Sequence, residues 1–532
     1  MCLSALENLN LFQKFKSNPM QNHTENTKRI AKNTLMLYGR MLFSMVVSLY
    51  TSRVILNALG VVDYGIYGVV GGFVSMFSLI SSSLSSAVSR FLTYELGRGD
   101  KVRLHNAFST SLLIHIVLAV IVLVVSETVG VWFVNNKMTI PVERLHAANW
   151  VFQASIISFM FGLFSVPYNA SIVSHEKMSA FAYIGILDTT LKLFVVLFIA
   201  HAHWHFDKLI MYSVLLVAVS IMLQCIYLIY CRRHFDECRL KIGFNKEFWK
   251  EISAFSLWNF IGCTAGILKD QGVNVLLNIF VGPILNAARG IAGSVNAAVF
   301  GFAGNFMTAL NPQITKSYAS GDLEYAHFLV ERGSRFSFYI LLFFAIPILL
   351  ETDFVLTVWL KQYPDHSLNF VRLVLMLSLI DSLSNTLITL QNATGKIRNY
   401  QLVVGSILLL NFPLSYFCLK VGFAPESTYI VAISVAVCCM IARLTFVRKS
   451  AMLPMGGFLK NVVLNVITVA ICAMSLPLVL HEVLPDGWGR FMLVGFASVM
   501  ATAGAILFIG CNKNERNFIF DKALSIKEKF IR

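Results

Sequence analysis

The stretch from Ser253 to Asn311 reads SAFSLWNFIGCTAGILKDQGVNVLLNIFVGPILNAARGIAGSVNAAVFGFAGNFMTALN. Two apolar runs, around Asn259–Ile279 and Asn286–Asn311, are joined by a very short turn. The first run carries adjacent charges, Lys269 and Asp270. The second is crowded with small residues and holds Arg289 near its start. A charged side chain at the bilayer centre costs about 2.5–3.5 kcal/mol on insertion scales, so such residues face a cavity or a partner. The stretch therefore predicts a membrane hairpin that lines a polar path.

The rest of the chain agrees with a membrane setting. Its 532 residues are 57% hydrophobic and 13% charged, against about 25% charged in a soluble domain. Apolar runs near the ~20 residues needed to span a bilayer recur along the whole length; Leu112–Val125 and Ile340–Leu350 are the cores of two. The runs are continuous rather than alternating, which excludes a barrel. An all-α, polytopic membrane protein is expected. The net charge of +15 does not point to nucleic acid, because the basic residues cluster between the apolar segments. The ten cysteines form no CxxC; Cys225, Cys263, Cys418, Cys438, Cys439 and Cys472 fall in expected spans and read as small apolar residues. No cofactor and no metal set is expected. His201, His203 and His205 with Asp207 read as a solvated loop, and Gly65–Gly72 lacks the Gly-Lys-Ser/Thr of a phosphate loop. Residues 1–33 lack the apolar core of a signal peptide. Leu3–Phe15 reads either as a short interfacial amphipathic helix or, if translation starts at Met20, as residues without function.

About fourteen spans are expected, at roughly 34–57, 65–89, 107–133, 146–171, 180–200, 209–230, 252–280, 285–311, 334–359, 369–392, 401–419, 429–447, 459–480 and 490–510. Grouping alternate loops puts about 29 basic residues on the side of both termini and about six on the other. Both termini are thus expected in the cytoplasm. Val54-Ile-Leu-Asn57 recurs as Val275-Leu-Leu-Asn278, Gly99-Asp100…His105 as Gly321-Asp322…His327, and Asn169-Ala170 as Asn392-Ala393. The nearly constant offset, about 222 residues, predicts two homologous six-helix lobes of shared orientation, related by an axis along the membrane normal. The expected division is a segment 1–33, an N-lobe 34–240 (helices 1–6), a C-lobe 241–449 (helices 7–12), an added helix pair 450–510 and a tail 511–532.

The first hairpin, Asn33-Thr-Leu … Arg53-Val-Ile-Leu-Asn57-Ala-Leu-Gly60 … Asp63-Tyr-Gly-Ile-Tyr-Gly-Val-Val70, followed by Ser89-Arg90-Phe91 and Glu95-Leu-Gly-Arg-Gly-Asp100, resembles the polysaccharide-transporter (Wzx-type flippase) branch of the multidrug/oligosaccharidyl-lipid/polysaccharide exporter (MOP) superfamily. The resemblance implies a MATE-like, V-shaped two-lobe fold with a central cavity lined by helices 1, 2, 7 and 8. It implies alternating access and an undecaprenyl-pyrophosphate-linked oligosaccharide as cargo, for O-antigen, lipopolysaccharide or capsule synthesis at the bacterial inner membrane. It implies no catalytic domain. A multidrug exporter or a lipid II-type flippase would share the fold; a membrane polysaccharide polymerase is the alternative of another class. Expected partners are the lipid-linked oligosaccharide, membrane lipids, a coupling H+ or Na+ and polymerase machinery.

For an anionic headgroup the candidate contacts are Lys269, Arg289, Arg53 and Arg40, since arginine can donate two hydrogen bonds to one phosphate and lysine acts as a point charge. Arg53 and Arg289 lie near enough to one surface to snorkel, and Arg40 and Arg372 read as interfacial. Lys269 lies roughly 25 Å deep at 1.5 Å per residue. Asp270, Asp381, Asp188 and Lys192 are candidates for coupling or ion pairing. Asp188 and Lys192, four residues apart, share a helix face, and Asp381 has no local partner in sequence. The serines of Ser81–Ser86 and the small residues from Gly290 to Ala298 read as helix packing or cavity lining. Lys269, Asp270 and Arg289 have no charged counterpart in the first repeat, where Ser48, Leu49 and Gly68 fall.

Overall fold

The computed structural model describes residues 19–75, 77–136, 138, 140–201, 207–239, 245–281, 283–513 and 515–517, with side chains described from residue 29. The segment Leu3–Phe15, Lys137, His203, His205 and the tail beyond 517 lie outside these residues. The described residues form helices and no strand. The long helices are α1 (Pro19–Ser75), α2 (Ser78–Arg98), α3 (Lys101–Asn136), α4 (Leu145–Ser174), α5 (Met178–His201), α6 (Lys208–His234), α7 (Lys246–Phe280), α8 (Pro283–Ala319), α9 (Leu323–Leu350), α10 (Ser367–Thr394), α11 (Arg398–Val421), α12 (Ser427–Ala451), α13 (Met455–Val483) and α14 (Trp488–Gly510). Among the described residues, 12 helices are long and apolar enough to cross a membrane. The two long helices outside that set, α2 and α8, carry the serine cluster and the small-residue run.

Several boundaries differ from the sequence expectation, each for a local reason. The first two expected spans are not separated by a loop. Two helical segments meet directly at Gly60, which is non-helical with φ 80°, a value that a residue with a Cβ adopts at a cost. The expected span 65–89 is instead interrupted just before Ser78. Among the described residues, no neighbour stands within 4 Å of where a Cβ would lie at Gly65, Gly68 or Gly71. α11 is two segments that meet at Leu410.

The repeated Gly-Asp motif has a structural meaning. Gly99 and Gly321 both take left-handed φ, 75° and 85°, and each ends a helix. The aspartate that follows then caps the next one: Asp100 Oδ1 accepts from Arg103 N at 3.0 Å and Asp322 Oδ1 from Tyr325 N at 3.0 Å. This is the N-cap use of a short carboxylate.

The chain divides into two compact units. Unit 1 holds residues 1–75, 115–236 and 308–310. Its core gathers Val70, Val134, Val151, Phe152, Ile156 and Leu209 in one cluster, and Ile55, Val196, Ile199 and Tyr212 in another. Near these clusters Arg144 is held by two carboxylates, Asp63 (Nε to Oδ1 2.8 Å) and Asp207 (Nη1 to Oδ2 2.5 Å). Asp207 also caps α6 by accepting from Leu209 N and Ile210 N. Burial pushes the Asp207 carboxyl up, but hydrogen bonds from Arg144 and these amides outweigh it and hold it below the usual carboxylate range. Asp207 is thereby engaged by the helix terminus and an arginine.

Unit 2 holds residues 76–114, 237–307 and 311–532. It therefore includes α2 and the start of α3 along with α7–α14, whereas an even split of the repeat cuts at 240. The reason is contact between α2 and α7: Ser83 Oγ donates to Ser256 O at 2.7 Å, and Asn259 Nδ2 donates to Ser83 O at 3.3 Å. The core gathers Leu277, Ala288, Ala292, Leu341, Phe370 and Leu375. The added pair α13–α14 is fastened to α9 by charge. Glu351, 1% exposed at its side chain, takes Arg490 at 3.0 Å and His481 at 2.9 Å. Near the middle of α9, Arg335 donates to Gly510 O at 3.0 Å and to Glu515 at 3.1 Å.

Candidate functional site

Two residues join α7 to α8, so the helices must run antiparallel as neighbours. Pro283 opens α8 at the position where a missing N–H costs nothing. On α7, Gly272 leaves room for Phe412: a Cβ there would lie 2.7 Å from the ring. The second segment of α11 can therefore approach α7 and bring Asn411 in, 1% exposed.

Between α7, α8, α10, α11 and α12, inside unit 2, lies a cavity of about 550 Å³. Its charged lining residues are Lys269, Asp270, Arg289 and Asp381. Four of the eight candidates named from sequence thus meet at one place. Arg289 Nη2 lies 3.9 Å from Asp270 Oδ1 and 3.5 Å from the Asp270 carbonyl oxygen. Its guanidinium also sits over the Tyr429 ring, 5.1 Å from the centroid. The pair is lopsided: the Arg289 side chain is 14% exposed and the Asp270 side chain 61%. Lys269 is 8% exposed. Asp381 lies in the fields of Lys269 and Arg443, opposed by Asp270. Asp381 has no local partner in sequence, and the cations whose fields reach it stand on α7 and α12.

The charges of this cavity balance, with two cations and two carboxylates. Its other polar lining is rich in carboxamides: Gln271, Asn274, Asn286, Asn296 and Asn411, beside Ser378 and Thr428. Ser378 Oγ donates to Asn296 Oδ1 at 2.5 Å. The Oδ1 atoms of Asn286 and Asn411 are buried without a hydrogen-bond partner, leaving acceptors to be satisfied by water or a ligand.

The other four candidates do not line this cavity. Arg40 lies over the Phe181 ring, 4.3 Å from the centroid, and crosses Gly185, where a Cβ would meet its Cδ at 2.7 Å. It is packed against α5 in unit 1. Arg53 is exposed. Lys192 Nζ lies 2.9 Å from the Asp188 carboxylate. Arg372 Nε donates to Leu349 O at 3.1 Å and to Thr352 Oγ1 at 3.3 Å, tying α10 to the end of α9. Sequence reasoning missed Arg443. It stands five residues before the basic loop residue Arg448, yet it is 9% exposed and hydrogen-bonded to Tyr400.

Solved structures share this architecture at low sequence identity. A MATE transporter in the straight conformation matches with a TM-score of 0.68 at 12% identity, covering 82% of this chain and 97% of its own. An outward-facing multidrug-resistance MATE family transporter of the MOP superfamily gives 0.70 at 12% identity, covering 80% and 96%. A MOP superfamily transporter from Pyrococcus furiosus, described as having a binding pocket of reverse polarity, gives 0.64 at 12% identity, covering 81% and 96%. No curated protein matches the sequence. The family model for polysaccharide biosynthesis proteins matches residues 27–318. This chain belongs to that polysaccharide biosynthesis protein family and is a multi-pass membrane protein with the fold seen in these MATE transporters.

Proposed function

We propose that the protein flips an undecaprenyl-pyrophosphate-linked oligosaccharide from the cytoplasmic to the outer leaflet of a bacterial inner membrane, for surface polysaccharide synthesis. The observation that carries this reading is the carboxamide-rich, charge-balanced cavity inside unit 2. Each carboxamide offers both donors and an acceptor, which matches sugar hydroxyls better than it matches a lipophilic cation. The loose Asp270 contact leaves Arg289 free to exchange its carboxylate for a phosphate oxygen at little cost, since a contact at 3.9 Å is worth little beside a bidentate phosphate. Lys269 supplies a second positive point within the same walls.

In this reading Asp381 balances Lys269 when the cavity is empty, and it is the group to which a coupling H+ or Na+ would bind. Arg53 and Arg40 act outside this cavity, in unit 1. The two six-helix lobes alternate access, with both termini cytoplasmic and the added pair α13–α14 as a brace. The undecaprenyl tail stays in lipid while the headgroup crosses. A membrane potential is worth about 2.3 kcal/mol per charge per 100 mV, so two uncompensated negative charges moving outward would gain about 4.6 kcal/mol. Polymerase machinery would receive the flipped unit.

The second reading is multidrug export on the same fold, favoured by Asp270 and Asp381 in the cavity. It asks for uncompensated carboxylates, whereas both of these have cationic neighbours. Dye efflux assays in a deletion strain separate the two: unchanged efflux with altered surface glycan is the expected result, and the reverse would transfer the protein to the drug-export class.

A further inference from the structure

Unit 2 has a second, larger cavity of about 760 Å³, which shares no lining residue with the first. It lies at the end of the unit where the basic loops gather, lined by Arg90 and Phe91 of α2, by Glu251, Phe255 and Trp258 of α7, and by residues 394–399 between α10 and α11. We propose that this cavity is a binding site for a sugar phosphate.

The charges come first. Arg90, Lys396 and Arg398 line the cavity against one carboxylate, Glu251. Among the described residues, none of the three cations has a carboxylate within ion-pair distance. Glu95, whose field also reaches Arg90, is engaged by Arg103 at 3.3 Å. The cavity therefore keeps an excess of about two positive charges at its wall, which an anion would neutralise.

Arg90 is also pre-set for such a ligand. Its Nε donates to Asn392 O at 3.1 Å and its Nη2 to Ala393 O at 3.1 Å. Its guanidinium lies over the Phe91, Tyr94 and Phe255 rings, with centroids at 4.5, 4.8 and 5.5 Å. Two of the five N–H donors are thus used to fix the plane, and the remaining donors at the far edge are left for a ligand. A fixed planar fork is the geometry that grips a phosphate. Gly395 makes the approach feasible: it takes φ 73°, and a Cβ there would lie 2.7 Å from Arg90 Nη2.

The aromatic groups supply the other half of the ligand. Arg398 sits over the Trp258 ring at 5.3 Å from the centroid, and Phe255 and Phe91 extend the apolar wall. Aromatic faces beside a carboxylate acceptor, Glu251, suit a pyranose ring, whose C–H faces are apolar and whose rim is hydroxyls. A bare phosphate would use the cations alone. The inference rests on the proposed function only for choosing a sugar phosphate over other phosphate esters. Two sources share this chemistry, the glycan headgroup of a lipid carrier and a soluble sugar phosphate.

The test uses the full-length protein in phosphatidylcholine nanodiscs, titrated with glucose 1-phosphate and followed by calorimetry and tryptophan fluorescence. Saturable binding is expected, tighter than that of inorganic phosphate or of glucose. The double variant Lys396→Gln/Arg398→Gln, on exposed positions that leave the fold intact, should weaken it about tenfold, and Trp258→Phe should remove the fluorescence change. Arg372→Gln, which lines neither cavity, should leave it unchanged. Equal affinity in wild type and the double variant, or affinity no better than that of inorganic phosphate, would overturn the proposal. Nanodiscs containing phosphatidylglycerol should not abolish binding; abolition would reassign the cavity to a phospholipid headgroup and sink the sugar-phosphate assignment. A synthetic polyprenyl-pyrophosphate sugar competing with glucose 1-phosphate is the expected result for a lipid-carried source, and absence of competition, with glucose 1-phosphate still bound, assigns a soluble one; either supports the site. Binding is read without transport, so a failed export assay would leave this site standing, and a failed binding assay would leave the α7–α12 cavity standing.

Discussion

Lys269 is the side chain on which the proposed chemistry turns. It is 8% exposed in a membrane-spanning helix and lies in the field of Asp381. Removing one member of a buried charge pair typically costs about 3–5 kcal/mol, because the other is left uncompensated. Lys269→Ala is therefore expected to lower both export and thermal stability, and Lys269→Ala/Asp381→Asn to regain stability without regaining export. A double variant no more stable than the single one would show that the two groups do not compensate each other. Arg372→Ala, which loses a carbonyl anchor on α9, should reduce export less than Lys269→Ala at equal protein level; equal activity of the two would remove Lys269 from the site. In unit 1, Arg144→Gln is expected to cost about 1–2 kcal/mol, since its partners are partly exposed. Asp207 has its folded pKa held down, so its stabilising effect is full above the unfolded value of about 3.9 and is lost as pH falls through the folded one. Asp207→Asn should accordingly lower the melting temperature at neutral pH and make it less sensitive to acid; a parallel acid profile in both proteins would contradict this.

Glycines decide two of the turns between elements, and their pairing allows a controlled comparison. Gly99 and Gly395 end α2 and α10 with nearly the same φ, 75° and 73°. A left-handed residue with a Cβ costs about 1–2 kcal/mol, so Gly99→Ala should lose about that much, since no neighbour stands within 4 Å. Gly395→Ala meets Arg90 Nη2 as well and should cost about 1–3 kcal/mol more. Equal losses, read from melting curves, would mean that Arg90 moves away freely and does not hold α2 to the α10–α11 turn. At this scale most of the fold is legible in sequence. Long apolar runs announce their helices, and Gly99-Asp100 with Gly321-Asp322 announce a shared turn. What is not legible is where helices bend. Gly60 stands in a sequence that reads as two spans and a loop, but the two helices meet at it directly, because one residue at positive φ suffices to redirect a chain. Arg443 shows the same limit for the site. It lies inside the expected span 429–447, close to the basic residues Arg448 and Lys449 at its end, and only the packing of α12 on α11 reveals it as buried.

For the molecule as a whole, the repeat and the contacts divide the chain differently. Sequence similarity pairs α1 and α2 with α7 and α8, while the contacts place α2 with α7 in one unit. Hydrogen bonds such as Ser83 to Ser256 are set by three-dimensional packing and leave no periodic trace in a sequence. The four charges that line one cavity were individually visible as polar breaks in apolar helices. Their balance was not, because Asp381 stands more than a hundred residues from Lys269, and the carboxamides around them are unremarkable one at a time. Family membership places the protein in polysaccharide biosynthesis and its fold is that of MATE transporters; the cavity of carboxamides and paired charges underlies the proposal that it carries a glycan. The most direct test is to delete the gene and quantify lipid-linked glycans by leaflet, with complementation by wild type and by Lys269→Ala. The account predicts that the polyprenyl-pyrophosphate-linked repeat unit accumulates on the cytoplasmic leaflet and that only the wild-type gene fully clears it. Normal surface glycan with no accumulation, in a strain lacking any redundant transporter, would contradict it.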